Sequence, residues 1–350
     1  MRGPQTRELR RGWTTGACAT AATRAALIRL WTGGFPDSVS LILPRGETPV
    51  WTLAHRDAGE GWAEAGIVKD AGDDPDVTHG CLVIARVRPL APGGGVVFRA
   101  GPGVGSVTRE GLPVAVGEPA VNPVPRQMMR AEVESLAAEY GEAPDIEITL
   151  SIPGGETIAL KTWNSRLGIA GGLSVLGTTG VVRPFSCAAW IASIHRGIDV
   201  ARAGGLVHVA GTTGAQSEAA VQRLYGLPDH AMLDMGDFVG GLVKYLCRHP
   251  VARLTIGGGL AKMTKLSQGA RDLHSARSQV DFSRLAQVSG TPEVAKAQTV
   301  LHSYTIVGSP LARVIAQEAK RELDGMVLNT GIVVDVVVCD RAGVILARAG

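Results

Sequence analysis

The chain has 350 residues and a formal net charge of +3, with 45% hydrophobic and 19% charged residues, the balance of an ordinary soluble globular protein. With so little net charge, only 4% aromatics and no Lys/Arg run interleaved with them, nucleic acid is not an expected partner, since it wants a basic face and stacking platforms. The length exceeds the roughly 250–300 residues that one hydrophobic core fills, which predicts two domains.

In chain order, the Ala- and Leu-rich run 17–31 (ACATAATRAALIRLW) predicts a helix capped by Thr14 or Thr15. Residues 38–43 and 49–53 alternate apolar and polar and read as strands. CLVIARVRPL (81–90) and VVFRAG (96–101) are further strands, split by a Gly-rich turn. The prolines of LPVAVGEPAVNPVPRQ make it an extended, rigid loop before an amphipathic helix over 126–140. DIEITLSIPGGETIAL (145–160) predicts a hairpin with PGG as its turn.

Near residue 165 the rhythm changes. Apolar strands at 173–182, 205–211, 252–258 and 331–340 alternate with helices at 184–203, 217–225, 238–248, 260–270 and 309–324. Strand, Gly-rich turn and helix in repetition predict a mostly parallel, Rossmann-like α/β domain. The expected fold class is therefore α/β: an α+β domain over about residues 1–160, then an α/β domain over 161–350. Five scattered cysteines without a CxxC read as reduced thiols. The basic start lacks the apolar core of a secretion signal, and no run of about 18 apolar residues is present, so a cytoplasmic protein that does not span a membrane is expected.

Three motif groups carry candidate chemistry. TTG occurs at 14–16, 178–180 and 212–214, the last two within GTTG. Gly177, Thr178, Thr179 and Gly180, with Gly211, Thr212, Thr213 and Gly214, follow apolar strands, where parallel sheets bind ligands; helix-capping turns are the plainer explanation. GPGVGSVTREG (101–111), with Gly103 and Gly105, is neither GxGxxG nor a P-loop and reads as a loop approached closely by backbone. Lys262 and Lys265, three apart on a helix, form either a cationic wall or two surface lysines, with His274 following.

KDAGDDPDVTHG (69–80) gathers Asp70, Asp73, Asp74 and Asp76 between Lys69 and the pair Thr78 and His79. The spacing is a poor match to a calcium loop, and no metal site is assigned. AGDDP is turn chemistry. A solvated loop, or carboxylates and His79 moving a proton, both remain open on spacing alone.

Taken together, KDAGDDPDVTHG, GPGVGSVTREGLPVAVGEPAVNPVPRQM and NSRLGIAGGLSVLGTTGVVRPFS, with RRGWTTGACATAA before them and GGGLAKMTKLSQG after, resemble the CbiD family of cobalamin biosynthesis, the cobalt-precorrin-5B (C-1) methyltransferases, from about residue 10 to 290. The resemblance implies S-adenosylmethionine as methyl donor and a carboxylate-rich tetrapyrrole, cobalt-precorrin or metal-free precorrin, as small-molecule substrate. Other enzymes of the pathway become candidate partners, and a homodimer is compatible with this size and class. It gives Asp70, Asp73, Asp74, Asp76 and His79 a place in catalysis and sends the donor to the GTTG turns, with an acid of DMGDF (234–238) for its ribose. Substrate carboxylates fall to Lys69, Thr78, Gly103, Gly105, Arg109, Asn122, Arg126, Lys262, Lys265 and His274. Arg183, Asp237 and Gly258 depart from the family pattern. A non-catalytic corrinoid carrier is the competing class, and a metal-dependent hydrolase ranks last.

Overall fold

The computed structural model describes residues 9–350; the first eight, part of the basic start, lie outside them. The chain divides into two compact units, the first ending at Ser186 and the second spanning Cys187–Gly350. The break is well beyond the expected one near 160.

The first unit contains β1 (Gly12–Trp13), α1 (Thr15–Thr32), β2 (Ser38–Ser40), β3 (Val50–Thr52), β4 (His55–Gly59), β5 (Trp62–Val68), β6 (Leu82–Pro89), β7 (Val96–Ala100), β8 (Gly103–Val104), β9 (Ser106–Val107), α2 (Pro123–Tyr140), β10 (Ile146–Ser151), α3 (Gly155–Ala159), β11 (Ile169–Ala170), β12 (Gly172–Leu173) and β13 (Val181–Val182). Helix α1 forms where alanine, the strongest helix former, follows a Thr14 cap whose hydroxyl accepts from Ala17 N–H at 3.2 Å; Gly33, left-handed, ends it. Its small side chains let it lie against Ala63, Ala65 and Ala85 of the sheet, all fully buried in one core with Ile67, Val83, Ile148 and Leu150. The strand order is β4-β5-β6-β10-β7, antiparallel except for the β10–β7 pair.

Three expectations fail here for physical reasons. Residues 145–160 are not a hairpin: β10 already has β6 on one edge and β7 on the other, so a returning strand has no edge to pair with, and the chain turns into α3 instead. Residues 173–182 are not one strand of a parallel sheet. Their ends pair separately, β12 with β8 and β13 with β1, which keeps this stretch in the first unit and moves the boundary. Helix α2 begins at Pro123, inside the supposed loop, because proline is well suited to a first helical turn.

The second unit contains α4 (Cys187–Ala203), β14 (His208–Thr212), α5 (Ala215–Tyr225), β15 (Met232–Leu233), α6 (Val239–Leu246), β16 (Arg253–Gly259), α7 (Leu260–Ser267), α8 (Phe282–Ser289), α9 (Val300–Val307), α10 (Ser309–Met326), β17 (Val333–Cys339) and β18 (Ile345–Ala349). Its sheet runs β15-β14-β16-β17-β18, parallel except for the β18 edge. Alternation along β17 sends Val334, Val336 and Val338 into a core with Leu311 and Ile315 of α10, and Val337 and Cys339 into another with Ala220 and Val221 of α5. Both faces are covered, as parallel sheets require. All five cysteines are free thiols. Among the described residues no helix is long and apolar enough to cross a membrane.

Leu254, fully buried near the start of β16, is a stringent test of this packing. Leu254→Ala is expected to lower stability by about 2–5 kcal/mol, read as an earlier midpoint in urea unfolding.

Candidate functional site

Lys69 leaves the end of β5 and enters the interior, where it is 2% exposed. Its backbone closes the loop that follows: its N–H donates to Cys81 O and its carbonyl accepts from Gly80 N–H, both at 2.8 Å. Its ammonium donates to Asp76 and Thr78. Asp76 turns to meet it by accepting the Thr78 N–H at 2.8 Å and the Thr78 hydroxyl at 2.6 Å. Burial favours the neutral acid, but Lys69 and then Thr78 outweigh it and hold the Asp76 pKa below the ordinary range.

The other three aspartates fasten the loop to neighbouring chain. Arg10 grips Asp70 with both terminal nitrogens, and its backbone exchanges hydrogen bonds with Asp73: Arg10 N–H to the carboxylate at 2.7 Å and Asp73 N–H to the Arg10 carbonyl at 3.0 Å. The Arg10 fork, then the Gly72 N–H and nearby His79, bring the Asp70 pKa down to about 2. His79 Nδ1 accepts from Ala71 N–H at 3.1 Å, which leaves the ring proton to Nε2. Asp74 accepts from Phe185 N–H at 2.8 Å. Asp70 and Asp76 are thus bound through both oxygens, whereas Asp73 and Asp74 each keep one oxygen without a donor among the described residues.

Two of the three TTG copies meet beside this loop. Gly12 and Trp13 pair with Val182 and Val181, and Trp13 N–H donates to Asp70 O at 2.7 Å. Thr14 N–H donates to Gly180 O at 2.9 Å, and Gly16 N–H to Leu176 O at 2.8 Å. Gly177, at φ 142°, faces Thr14 so closely that a side chain there would strike the Thr14 hydroxyl. Thr179 bonds locally to Val181 N–H at 3.3 Å, and Thr178 is exposed. The 177–180 turn therefore belongs to the first unit and does not end a strand of the parallel sheet. Gly12 abuts the Ala71–Gly72 backbone, where no Cβ fits; RRGWTTG, KDAGDDPDVTHG and LGTTGVVRPF form one backbone-bonded assembly.

The remaining substrate-binding expectations divide. Gly103 and Gly105 do sit in a loop of close approach, against Ile152 and Ile169. Arg109 is exposed and has no ion pair among the described residues. Arg126 is committed elsewhere: its nitrogens donate to Val121 O at 2.8 Å, Glu118 at 3.0 Å and Pro119 O at 3.0 Å, so it clamps the loop ahead of α2. Asn122 precedes α2 without a side-chain cap.

In the second unit, Gly211, Thr212, Thr213 and Gly214 lie where expected, at the carboxyl end of parallel strand β14 and before α5. Thr212 is buried; Thr213 N–H donates to Gly257 O at 3.0 Å, joining the turn to β16. Lys262 donates to Thr213 O at 3.1 Å and stands 2.9 Å from Asp237 Oδ1. Lys265 does not form a cationic wall with it: Lys265 is 8% exposed, and its ammonium donates to Leu273 O at 2.9 Å. His274 shapes its own exposed turn, its Nδ1 accepting from Ala276 N–H at 3.2 Å.

Sequence reading missed Arg10 and the mutual contact of the first two TTG copies. The signal available was the glycine between Arg11 and Trp13, unusual ahead of a helix cap. Among the described residues, no group of three or more His, Cys, Asp or Glu side chains is placed to hold a metal ion.

Asp76→Asn removes the counter-charge of a buried ammonium and is expected to cost about 3–5 kcal/mol at neutral pH, measured by urea unfolding. Asp70 titrates in the folded state at about 2 against an ordinary 3.8, and Asp76 is shifted the same way. Their contribution is therefore complete above about pH 4 and is lost as the pH falls through the folded values. Asp70→Asn should flatten the loss of stability between pH 4 and pH 2 in acid-unfolding curves.

A family model described as CbiD matches residues 2–184. A cobalt-precorrin-5B C(1)-methyltransferase of Brucella anthropi is 60% identical, covering 97% of this chain and 96% of its own. Its counterpart from Brucella canis is 58% identical over 99% and 97%. A crystal structure of a cobalamin biosynthesis protein (cbiD) from Archaeoglobus fulgidus is 24% identical over 84% of this chain and 85% of that one, with a TM-score of 0.41. Matched along nearly its whole length, with its aspartate loop and first two TTG turns assembled in one unit, the chain belongs to the CbiD family.

Proposed function

We propose that this chain methylates C-1 of cobalt-precorrin-5B, giving cobalt-precorrin-6A, with S-adenosylmethionine as the methyl donor. The observation that carries the reading is near-full-length identity of 58–60% to proteins named for that methyl transfer.

S-adenosylmethionine supplies a methyl group on a sulfonium, already activated toward an electron-rich ring carbon. The protein's task is then to hold acceptor and donor in line and to exclude water. In the first unit, the free oxygens of Asp73 and Asp74 can take a proton from the ring or steady charge that develops there. The assembly behind them is cross-bonded through its backbone, the support a positioned carboxylate needs. Lys69 is buried against Asp76 and Thr78, away from a substrate carboxylate; Arg109 is exposed and has no ion pair among the described residues, so it can meet one. In the second unit, the turn after β14 offers backbone and hydroxyl donors at a strand end, where ligands of parallel sheets bind.

The test is methyl transfer from isotopically labelled S-adenosylmethionine to cobalt-loaded and metal-free precorrin-5, followed by mass spectrometry. Transfer to the cobalt form is expected. Corrinoid binding without transfer would establish the carrier instead, and transfer to the metal-free ring alone would change the substrate. Asp74→Asn is expected to lower kcat by about a hundredfold with an unchanged unfolding midpoint.

A further inference from the structure

An acceptor rich in carboxylates needs cations to hold it, and the fold withdraws most of those that the sequence offers. Lys69 is buried on Asp76 and Thr78, Arg126 clamps backbone carbonyls and Glu118, and Lys265 bonds the Leu273 carbonyl. Arg10, at the rim of the aspartate loop, gives its guanidinium to Asp70. Two neighbouring arginines behave differently. Arg11 and Arg183 are exposed, and neither side chain has an ion pair or a hydrogen bond among the described residues.

The ladder of β1 and β13 brings these two together. Thr14 N–H donates to Gly180 O, Trp13 stands opposite Val181, and Gly12 opposite Val182. The same register, one step further out, sets Arg11 opposite Arg183. Opposed residues of an antiparallel pair hold their Cβ atoms roughly 4.5–5.5 Å apart, and like charges there are destabilising. The acids of the loop do not relieve them: Asp70 and Asp76 are taken by Arg10 and Lys69, Asp73 receives the Arg10 N–H and Asp74 the Phe185 N–H. An anion between the two guanidiniums turns the repulsion into charge-assisted hydrogen bonds. A second observation on the same strip is independent of charge. Phe185, two residues after Arg183, has a φ of 55° and is 67% exposed; bulky residues avoid that backbone region. Its N–H is fixed to Asp74 at 2.8 Å. Strain of this kind persists where the surroundings enforce it, and it gathers at ligand clamps.

We propose that Arg11 and Arg183 form a clamp for side-chain carboxylates of the acceptor at the edge of the aspartate loop, and so orient the ring beside Asp74. A guanidinium fork meets a carboxylate with two parallel hydrogen bonds. Two forks side by side grip one acid from both flanks or two acids on adjacent side chains of the ring. The clamp also sets specificity: a ring whose acids are masked as amides or esters offers it no charge and is held less tightly. The inference rests on the acceptor reading above and assigns the recognition of substrate charge to two named side chains.

Titration of the full chain with cobalt-precorrin-5B, followed by the absorbance of the corrinoid at low and high salt, tests the clamp without recourse to turnover. Arg11→Gln and Arg183→Gln are each expected to weaken binding by about tenfold and to flatten its dependence on salt. Their unfolding midpoints should be no lower than that of the wild type, because two like charges are parted. Arg183→Lys, which keeps the charge without the fork, should recover part of the loss. Arg341→Gln, which removes an exposed arginine between β17 and β18 of the second unit, should leave the affinity within about twofold of the wild type. Binding by both loop-side glutamine variants as tight as by the wild type overturns the clamp and leaves the methyl-transfer reading standing. So does an equal loss in Arg341→Gln, which marks attraction by net charge alone. Failure of the wild type to bind cobalt-precorrin-5B at all, with or without S-adenosylhomocysteine, overturns the acceptor reading and the clamp with it.

Discussion

The first unit is organised around one buried charge. A lysine ammonium removed from water costs several kcal/mol unless an opposite charge and hydrogen bonds are brought to it. Lys69 is among the largest fully buried side chains of the chain, and the loop after it is shaped to supply both. Asp76 returns to the point where Lys69 enters, the Thr78 hydroxyl completes the shell, and the backbone of Lys69 closes against Gly80 and Cys81. Once that knot is tied, the remaining aspartates are spread at fixed places on its rim, where they hold Arg10 on one side and Phe185 on the other. The buried Cys18 thiol shares this environment; burial pushes its pKa up to about 12, against the pull of Lys69, so it stays neutral and inert.

Loop acidity serves two ends here. The carboxylates that meet a side-chain cation, Asp70 with Arg10 and Asp76 with Lys69, are satisfied by both oxygens. Those that retain an open oxygen, Asp73 and Asp74, gain definition from the ones that do not. A catalytic carboxylate on a wandering loop would lose the positional benefit that enzymes draw on. In the second unit a lysine again joins a carboxylate to the chain: Lys262 bonds the Thr213 carbonyl and pairs with Asp237.

Much of the fold was legible in the sequence wherever one periodicity ruled. The alanine helix, the strands around 82–89 and 333–339, and the strand–helix alternation of the second unit all follow from local pattern. What was not legible depended on partners far along the chain. Insertion of β10 between β6 and β7 removed the edge that a hairpin over 145–160 needed. The pairing of β13 with β1 drew the first GTTG turn away from the parallel sheet. The site shows the same limit. The aspartate loop was recognisable from residue types, but the burial of Lys69, the Arg10 grip on Asp70 and the loss of Arg126 and Lys265 to backbone carbonyls are tertiary facts. No spacing rule encodes them, because charged residues look alike in sequence whether they end in solvent or against a carbonyl.

The two-stranded ladder between Gly12–Trp13 and Val181–Val182 places the beginning of the first unit alongside its end. Among the described residues, the first strand of the unit thus lies beside its last. Domains with adjacent termini tolerate circular permutation when new ends open in an exposed turn, and the solvent-facing stretch 91–95 between β6 and β7 is such a turn. A permuted unit, joined across the ladder and opened there, would keep Arg10, the aspartate loop and Phe185 in register. Such a permutation moves the covalent break to 91–95 and keeps the side-by-side meeting of the three motifs.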